Sequence, residues 1–290
     1  MRGTRRSAAQ RTPVAARKIA RSGRACQGSV RSPRLTVVHP VTTTRPADAA
    51  TLRGSGPTRR IEVPILAAVP GLLHVFTVKG SDPRAAIAEM AGREVPLLTL
   101  RQVHGAKVRL VDRSARAAAG GLPAREEGDA LIVSGPDVAA GVWVADCLPI
   151  LICDERTRTV AAVHAGWRGT VAGVVGAAIA TMRARCGANP SQLRLAMGPA
   201  IGPCCFEVGD EVVEALVGAF PDAAACVVGG RRSRVDLAEA NRRQARAAGV
   251  PDEAMQAAGL CTLCRPDLLE SYRRERGAAG RMAGIIAWKE

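Results

Sequence analysis

The 290-residue chain is poor in aromatic side chains, with three Trp, three Phe and one Tyr. Its core must therefore be built from Ala, Val, Leu and Ile rather than from rings. Histidine is also scarce, at four residues, so candidates for an imidazole base or ligand are few. No apolar run approaches the roughly 18 residues that a membrane helix needs, and no span is expected. Acids are almost missing from one end. Residues 1–60 hold 14 Lys or Arg and one acid, Asp48; the remainder hold 27 basic and 25 acidic residues. The formal charge of +15 thus belongs to the N-terminal stretch. Charge gives no reason to expect the rest of the chain to bind nucleic acid.

Nine cysteines are present. Their number is odd, their spacing irregular, and no apolar leader precedes them. Free thiols in a reducing cytoplasm are expected, one or more of them on a metal. Residues 1–57 are rich in Arg, Ser, Ala, Thr and Pro and lack apolar periodicity, which predicts a disordered basic extension. A solvated tail, an organelle transit peptide and a tail for nucleic acid or membrane surfaces all fit that composition. A single folded domain is expected over residues 58–290.

Within that domain "IEVPILAAV" and "LLHVFTV" read as short strands, and "DPRAAIAEMAG" as a helix capped by Asp82 with Pro83 in its first turn. "PLLTLRQVHGAKVRLVD" reads as two strands broken at His104-Gly105. "DALIV", "GVWVADCLPILICD" and "TVAAVH" read as buried strands. Val171, Val174, Val175, Ala178, Ile179 and Met182 recur at helical spacing, up to a stop near Gly187. "LRLAMGP" and "RMAGIIAW" read as strands, and "GDEVVEALVGAF" and "DLAEANRRQARAAG" as helices. The last has Asp236 and Glu239 placed as a capping box. Strands and helices do not alternate strictly. The fold class is therefore α+β, with mixed β-sheets packed by helices.

His39 lies in the tail, and His74 reads as a hydrogen-bonded sheet residue. His104 and His164 differ: each ends an apolar run and leads into glycine, where side chains converge on pockets. Cys147, after the apolar run "VWVAD", has the same setting. Two imidazoles and a thiolate suit zinc, and three protein ligands leave a fourth position open. From spacing alone, structural strand ends are the favoured reading. In "HAGWRGT", Gly166 and Gly169 permit a tight turn. Arg168 there fits either an anion site or a surface ion pair beside a packed Trp167. Gln102 and Asp146 flank possible ligands and suit an orienting role. Cys204-Cys205 read as a structural thiol pair. Cys261 and Cys264 form one C-x-x-C, and without a second ligand pair a structural zinc is not expected there.

Seven ordered blocks carry a resemblance: "RQVHG", "DALIV", "ADCLPILICD", "VHAGWRGT", "GPAIGPCCFEVGDEV", "DLAEANRRQARAAGV" and "SYRRERGAAGRMAGII". Together they resemble the laccase-domain family, also called the YfiH or multicopper polyphenol oxidase family, over roughly residues 70–288. The resemblance implies one zinc ion on His104, Cys147 and His164. It also implies phosphorolysis of adenosine, inosine, guanosine and methylthioadenosine, with adenosine deamination through a metal-bound water. On this reading Asp146, Arg168 and Gln102 serve catalysis, and Asn241 and Arg281 bind substrate. Arg168 and Arg281 would supply the charge that attracts phosphate. Purine nucleosides and phosphate are the expected partners, in the cytoplasm. A true multicopper centre would take about ten histidines, so copper is expected here only adventitiously.

Two other readings remain. Cys147 and His164 fit a nucleophile and base acting on amide bonds of peptidoglycan precursors, and a zinc-stabilised binding protein without turnover fits the same ligands. One departure stands out. Where the family carries an arginine, paired glycines and a longer loop, this chain has Lys79-Gly80 in "FTVKGSDPRAAIAEMAGREVP". Substrate choice is expected to feel that change more than metal binding.

Overall fold

The computed structural model describes residues 50–111, 126–136 and 138–289. His39 and most of the expected N-terminal extension lie outside them. Fourteen strands and seven α-helices occur among the described residues. The first sheet runs in the order β1 (Thr51–Arg53), β2 (Arg60–Glu62), β3 (Leu72–Thr77), β14 (Met282–Trp288), β7 (Ala139–Val144), β4 (Leu97–Leu98). The second runs β13 (Met255–Ala257), β10 (Arg194–Met197), β8 (Leu148–Asp154), β9 (Thr159–Ala165), β6 (Ala130–Ser134), β5 (Val108–Val111). A two-stranded ribbon pairs β11 (Val227–Val228) with β12 (Arg234–Val235). Both large sheets are mixed: β4–β7, β5–β6 and β10–β13 are parallel, the other pairs antiparallel.

The sheets stack face to face, and helices cover the outer faces. Side-chain alternation sets this order. In β8, Leu148, Ile150 and Ile152 face α4 (Val174–Cys186) and α6 (Leu237–Ala247), while Leu151 and Cys153 face the other sheet. In β14, Ile286 and Trp288 point between the sheets, and Ala283, Ile285 and Ala287 meet α2 (Pro83–Ala91). Strands covered on both faces need apolar residues at every position. That is why they read as unbroken runs.

Local rules hold at α2, where Asp82 accepts from the amides of Arg84 and Ala85 and Gly92 closes the helix at φ +74°. At α6 Asp236 caps the Glu239 amide. Four expectations need correction. Ordered structure begins before residue 58, because Thr51–Arg53 pairs with Arg60–Glu62. "IEVPILAAV" is strand only as far as Glu62; Pro64 fixes the first turn of α1 (Pro64–Ala67). The long helix expected from Val171 is two helices, α3 (Trp167–Val171) and α4, broken where Gly173 turns left-handed at φ +77°. In "PLLTLRQVHG" only Leu97–Leu98 is strand. The helices α5 (Asp210–Val217) and α7 (Tyr272–Glu275) complete the set. No helix among the described residues is long and apolar enough to cross a membrane.

Candidate active site

The chain crosses between the two large sheets at two places that meet, and the candidate residues gather there. The segment from β4 to β5 carries Gln102 and His104. The turn from β7 to β8 carries Asp146 and Cys147. His164 lies near the end of β9, directly opposite Pro149 of β8. The donor atoms of His104, Cys147 and His164 lie within 4.8 Å of one another. The two imidazole rings stand at 81° with centroids 4.8 Å apart.

One residue that sequence reasoning missed organises this group. Asp129 is fully buried at the entrance to β6. Its carboxylate accepts from the amides of His104 at 2.9 Å and Gly105 at 2.8 Å, and more loosely from Val103 at 3.3 Å. It also meets His164 Nδ1 at 2.9 Å. This leaves Nε2 of His164 for the cavity. The same bonds hold His104 in its left-handed conformation, φ +60°. That conformation is costly for a residue other than glycine. Burial opposes the charge on Asp129, but the bonds from His164 and the Gly105 and His104 amides keep its carboxyl below the usual range.

Burial likewise disfavours charge on the other two groups. At Cys147 the hydrogen bonds from His104 and His164 prevail and bring the thiol down to about 7. At His164 the bonds to Asp129 and Cys147 prevail and raise it to about 9. A thiolate beside two imidazoles, one anchored by a buried carboxylate, is a donor set suited to a soft or borderline metal ion. Gly166 makes room for it. A Cβ there would stand 2.9 Å from Cys147 Sγ and 3.5 Å from His104 Cδ2.

These groups line a cavity of about 630 Å³ with Leu100, Gln102, Trp143, Tyr272 and Arg281. Tyr272 is the single tyrosine of the chain and is half exposed. Its uniqueness was the one signal that could have marked it. Arg281 is exposed in the cavity wall and donates weakly, at 3.3 Å, to the Gly280 carbonyl.

The remaining sequence candidates do other work. Gln102 reaches the cavity wall, but its amide spans the backbone of Trp143, accepting from its N–H at 2.7 Å and donating to its carbonyl at 2.8 Å. Asp146, at φ +83°, turns away from the cavity. It accepts from Thr262 Oγ1 at 2.5 Å and from the Arg273 amide at 2.6 Å. Arg168 is exposed and stacks on Trp167 at 4.2 Å; among the described residues it forms no ion pair. Asn241 is buried, donating to Thr170 Oγ1 and to the Leu237 carbonyl, both at 2.9 Å; it ties α6 to α3 and does not line the cavity. His74 is a sheet residue as expected, accepting from the Val63 amide at 2.8 Å. Lys79 meets Glu275 at 3.3 Å, so the altered loop touches α7, the helix that begins with Tyr272.

Known proteins share this arrangement's framework. The purine nucleoside phosphorylase YlmD of Geobacillus stearothermophilus is 37% identical over 194 residues, 65% of this chain and 71% of that protein. Adenosine deaminase RL5, from an unknown prokaryotic organism, is 37% identical over 206 residues, 69% of this chain and 78% of that protein. The crystal structure of YlmD from Geobacillus stearothermophilus superposes with a TM-score of 0.73 at 30% identity, covering 84% of this chain and 100% of that one. The family model described as multi-copper polyphenol oxidoreductase laccase matches residues 79–289. The chain belongs to this laccase-like family, whose curated relatives carry the names of purine nucleoside phosphorylases and an adenosine deaminase.

Proposed function

We propose that the protein is a zinc-dependent purine nucleoside phosphorylase, acting on adenosine, inosine, guanosine and methylthioadenosine, that also deaminates adenosine. One observation carries this reading: a single cavity brings the His104, Cys147 and His164 donors together with an exposed guanidinium, Arg281, and two aromatic walls, Trp143 and Tyr272. A zinc ion, when bound there, supplies a Lewis acid that acidifies water and polarises substrate. The chain's own groups have separate tasks. Arg281 attracts phosphate as a paired-donor cation. Tyr272 and Trp143 offer flat faces to the purine. Asp129 keeps a proton on His164 Nδ1 and so aims Nε2 into the cavity. Gln102 fixes Trp143, and Asp146 fixes the turn that presents Cys147. Both are positioning residues. In phosphorolysis a phosphate oxygen bonds to ribose C1′ as the C1′–N9 bond breaks, and the purine leaves with a proton.

The test is incubation of zinc-loaded protein with adenosine, with and without phosphate, and separation of the products. Phosphate-dependent adenine supports the phosphorylase and phosphate-independent inosine the deaminase. In Arg281→Ala the phosphate KM is expected to rise at least tenfold while inosine formation changes less, because deamination needs no phosphate. A second reading has its own support. A Cys147 thiol lowered to about 7 beside His164 suits nucleophilic attack on an amide. Inactivation by iodoacetamide that chelators do not affect would favour it. Loss of activity on chelation, restored by zinc, would exclude it.

A further inference from the structure

A second cluster lies outside this cavity. Cys204 and Cys205 sit in the loop after β10, and Cys261 and Cys264 in the loop after β13. Their four sulfurs lie within 4.8 Å of one another. Cys264 Sγ stands 3.6 Å from Cys204 Sγ and 3.4 Å from Cys205 Sγ. The C-x-x-C that lacked a second ligand pair in the sequence has one in the fold, and the supposed structural thiol pair supplies it.

From these positions we infer that Cys204, Cys205, Cys261 and Cys264 form a closed tetrathiolate site for one zinc ion. The spacing fits. Zinc–sulfur bonds of about 2.3 Å at tetrahedral angles put sulfurs about 3.8 Å apart. A four-iron cluster places each thiolate on a different iron at the corners of a cube, which spreads the sulfurs too far apart for this group. A disulfide fits less well, since Cys264 is about equally near two partners. The backbone is also prepared. The Gly202 amide donates to Cys261 Sγ at 3.3 Å, and the amides of Leu263 and Cys264 also turn towards that sulfur. Amides pointing at a sulfur stabilise its thiolate. The two loops are held in register by the Ala200–Cys261 bridge, with the Ala200 amide donating to Leu260 and the Thr262 amide to Ala200. Four thiolates this close need a dication between them. Four protein ligands leave no position open, so the site is structural. It joins the strand ends that hold Thr262, the residue that donates to Asp146.

The inference is independent of the proposed activity, and metal counting tests it. Full-length protein purified under reducing conditions is expected to hold two zinc ions per chain by plasma mass spectrometry. His104→Ala/His164→Ala should retain one, and adding Cys261→Ser/Cys264→Ser should remove it. If the serine variant does not fold, cobalt reconstitution of the His104→Ala/His164→Ala protein gives the answer. Intense thiolate-to-cobalt charge-transfer bands are expected. Zinc content unchanged by the serine substitutions, iron in place of zinc, no charge-transfer band, or an intact mass showing disulfides among these four cysteines would each overturn the inference.

Discussion

Asp129→Asn keeps the shape of the buried carboxylate and removes its charge. In the native chain the carboxylate serves the amides of Val103, His104 and Gly105 and the Nδ1 of His164, at 2.8–3.3 Å. Asparagine brings one acceptor oxygen and an NH₂ group that can only donate. At least one buried donor then loses its acceptor, at roughly 1–3 kcal/mol. The other bonds lose their charge assistance. A total loss of about 3 kcal/mol in folding stability is expected, within the range for removing one partner from a buried ionic pair. The metal centre suffers separately. His164 loses one of the two partners that together outweigh its burial, its pKa falls back from about 9, and Nε2 is no longer aimed. Loss of such a partner weakens metal affinity by roughly 10–100-fold. The assay has two arms: urea unfolding of metal-free protein, and zinc competition against a chromophoric chelator. Working without metal in the first arm keeps binding out of the stability measurement. The reasoning fails if Asp129→Asn unfolds at the native urea concentration and holds zinc within about threefold of the parent.

Three further outcomes follow from the packing. Gly166→Ala leaves an allowed backbone, φ −71°, but sets a methyl 2.9 Å from Cys147 Sγ; the chain should fold while zinc affinity drops roughly tenfold, as chelator competition would show. Gly198→Ala drives a Cβ to 2.3 Å from the buried Phe76 ring, and overpacking between the sheets should cost about 2 kcal/mol or more in urea unfolding. His74 is buried, accepts from Val63 through Nε2, and is lowered to about 4 by burial and by Arg60. Its unfolded form takes up a proton near pH 6.5, so its stabilising effect is complete above that pH and is lost as pH falls towards 4. The difference amounts to about 3 kcal/mol. Stability measured at pH 7 and pH 4.5 should fall less in His74→Gln than in the parent, and an equal fall would refute the assignment.

The long strands were legible because both their faces are covered. Residues 148–154 and 282–288 have no polar alternation to disguise them. Helix α2 was legible from Asp82, Pro83 and Gly92, which act within a few residues of themselves. The short strands β1, β11, β12 and β13 were not. Two or three residues carry no periodicity, and such strands exist only through the partners that pair with them. The break between α3 and α4 was missed for a related reason. The apolar stripe from Val171 to Met182 continues through it, and nothing but the left-handed Gly173 turns the chain.

The site was legible where it depended on one position at a time and obscure where it depended on register. His104, Cys147 and His164 each end an apolar run, and each could be seen alone. Asp129 could not. It acts because β6 and β9 are antiparallel with Ala130 opposite Val163, which places the next residues outward, Asp129 and His164, side by side. Chemistry still left a clue. A ligand histidine must satisfy its second ring nitrogen, and an acid at the mouth of a buried strand is expensive without a partner. The same argument explains the cysteines. Cys204-Cys205 and Cys261-x-x-Cys264 are about sixty residues apart and match no ligand spacing on one chain segment. Parallel pairing of β10 with β13 brings Leu195 beside Met255, and the loops that leave those strands together carry the four sulfurs to one point. A motif search reads along the chain, whereas both clusters of candidate ligands here are assembled across it.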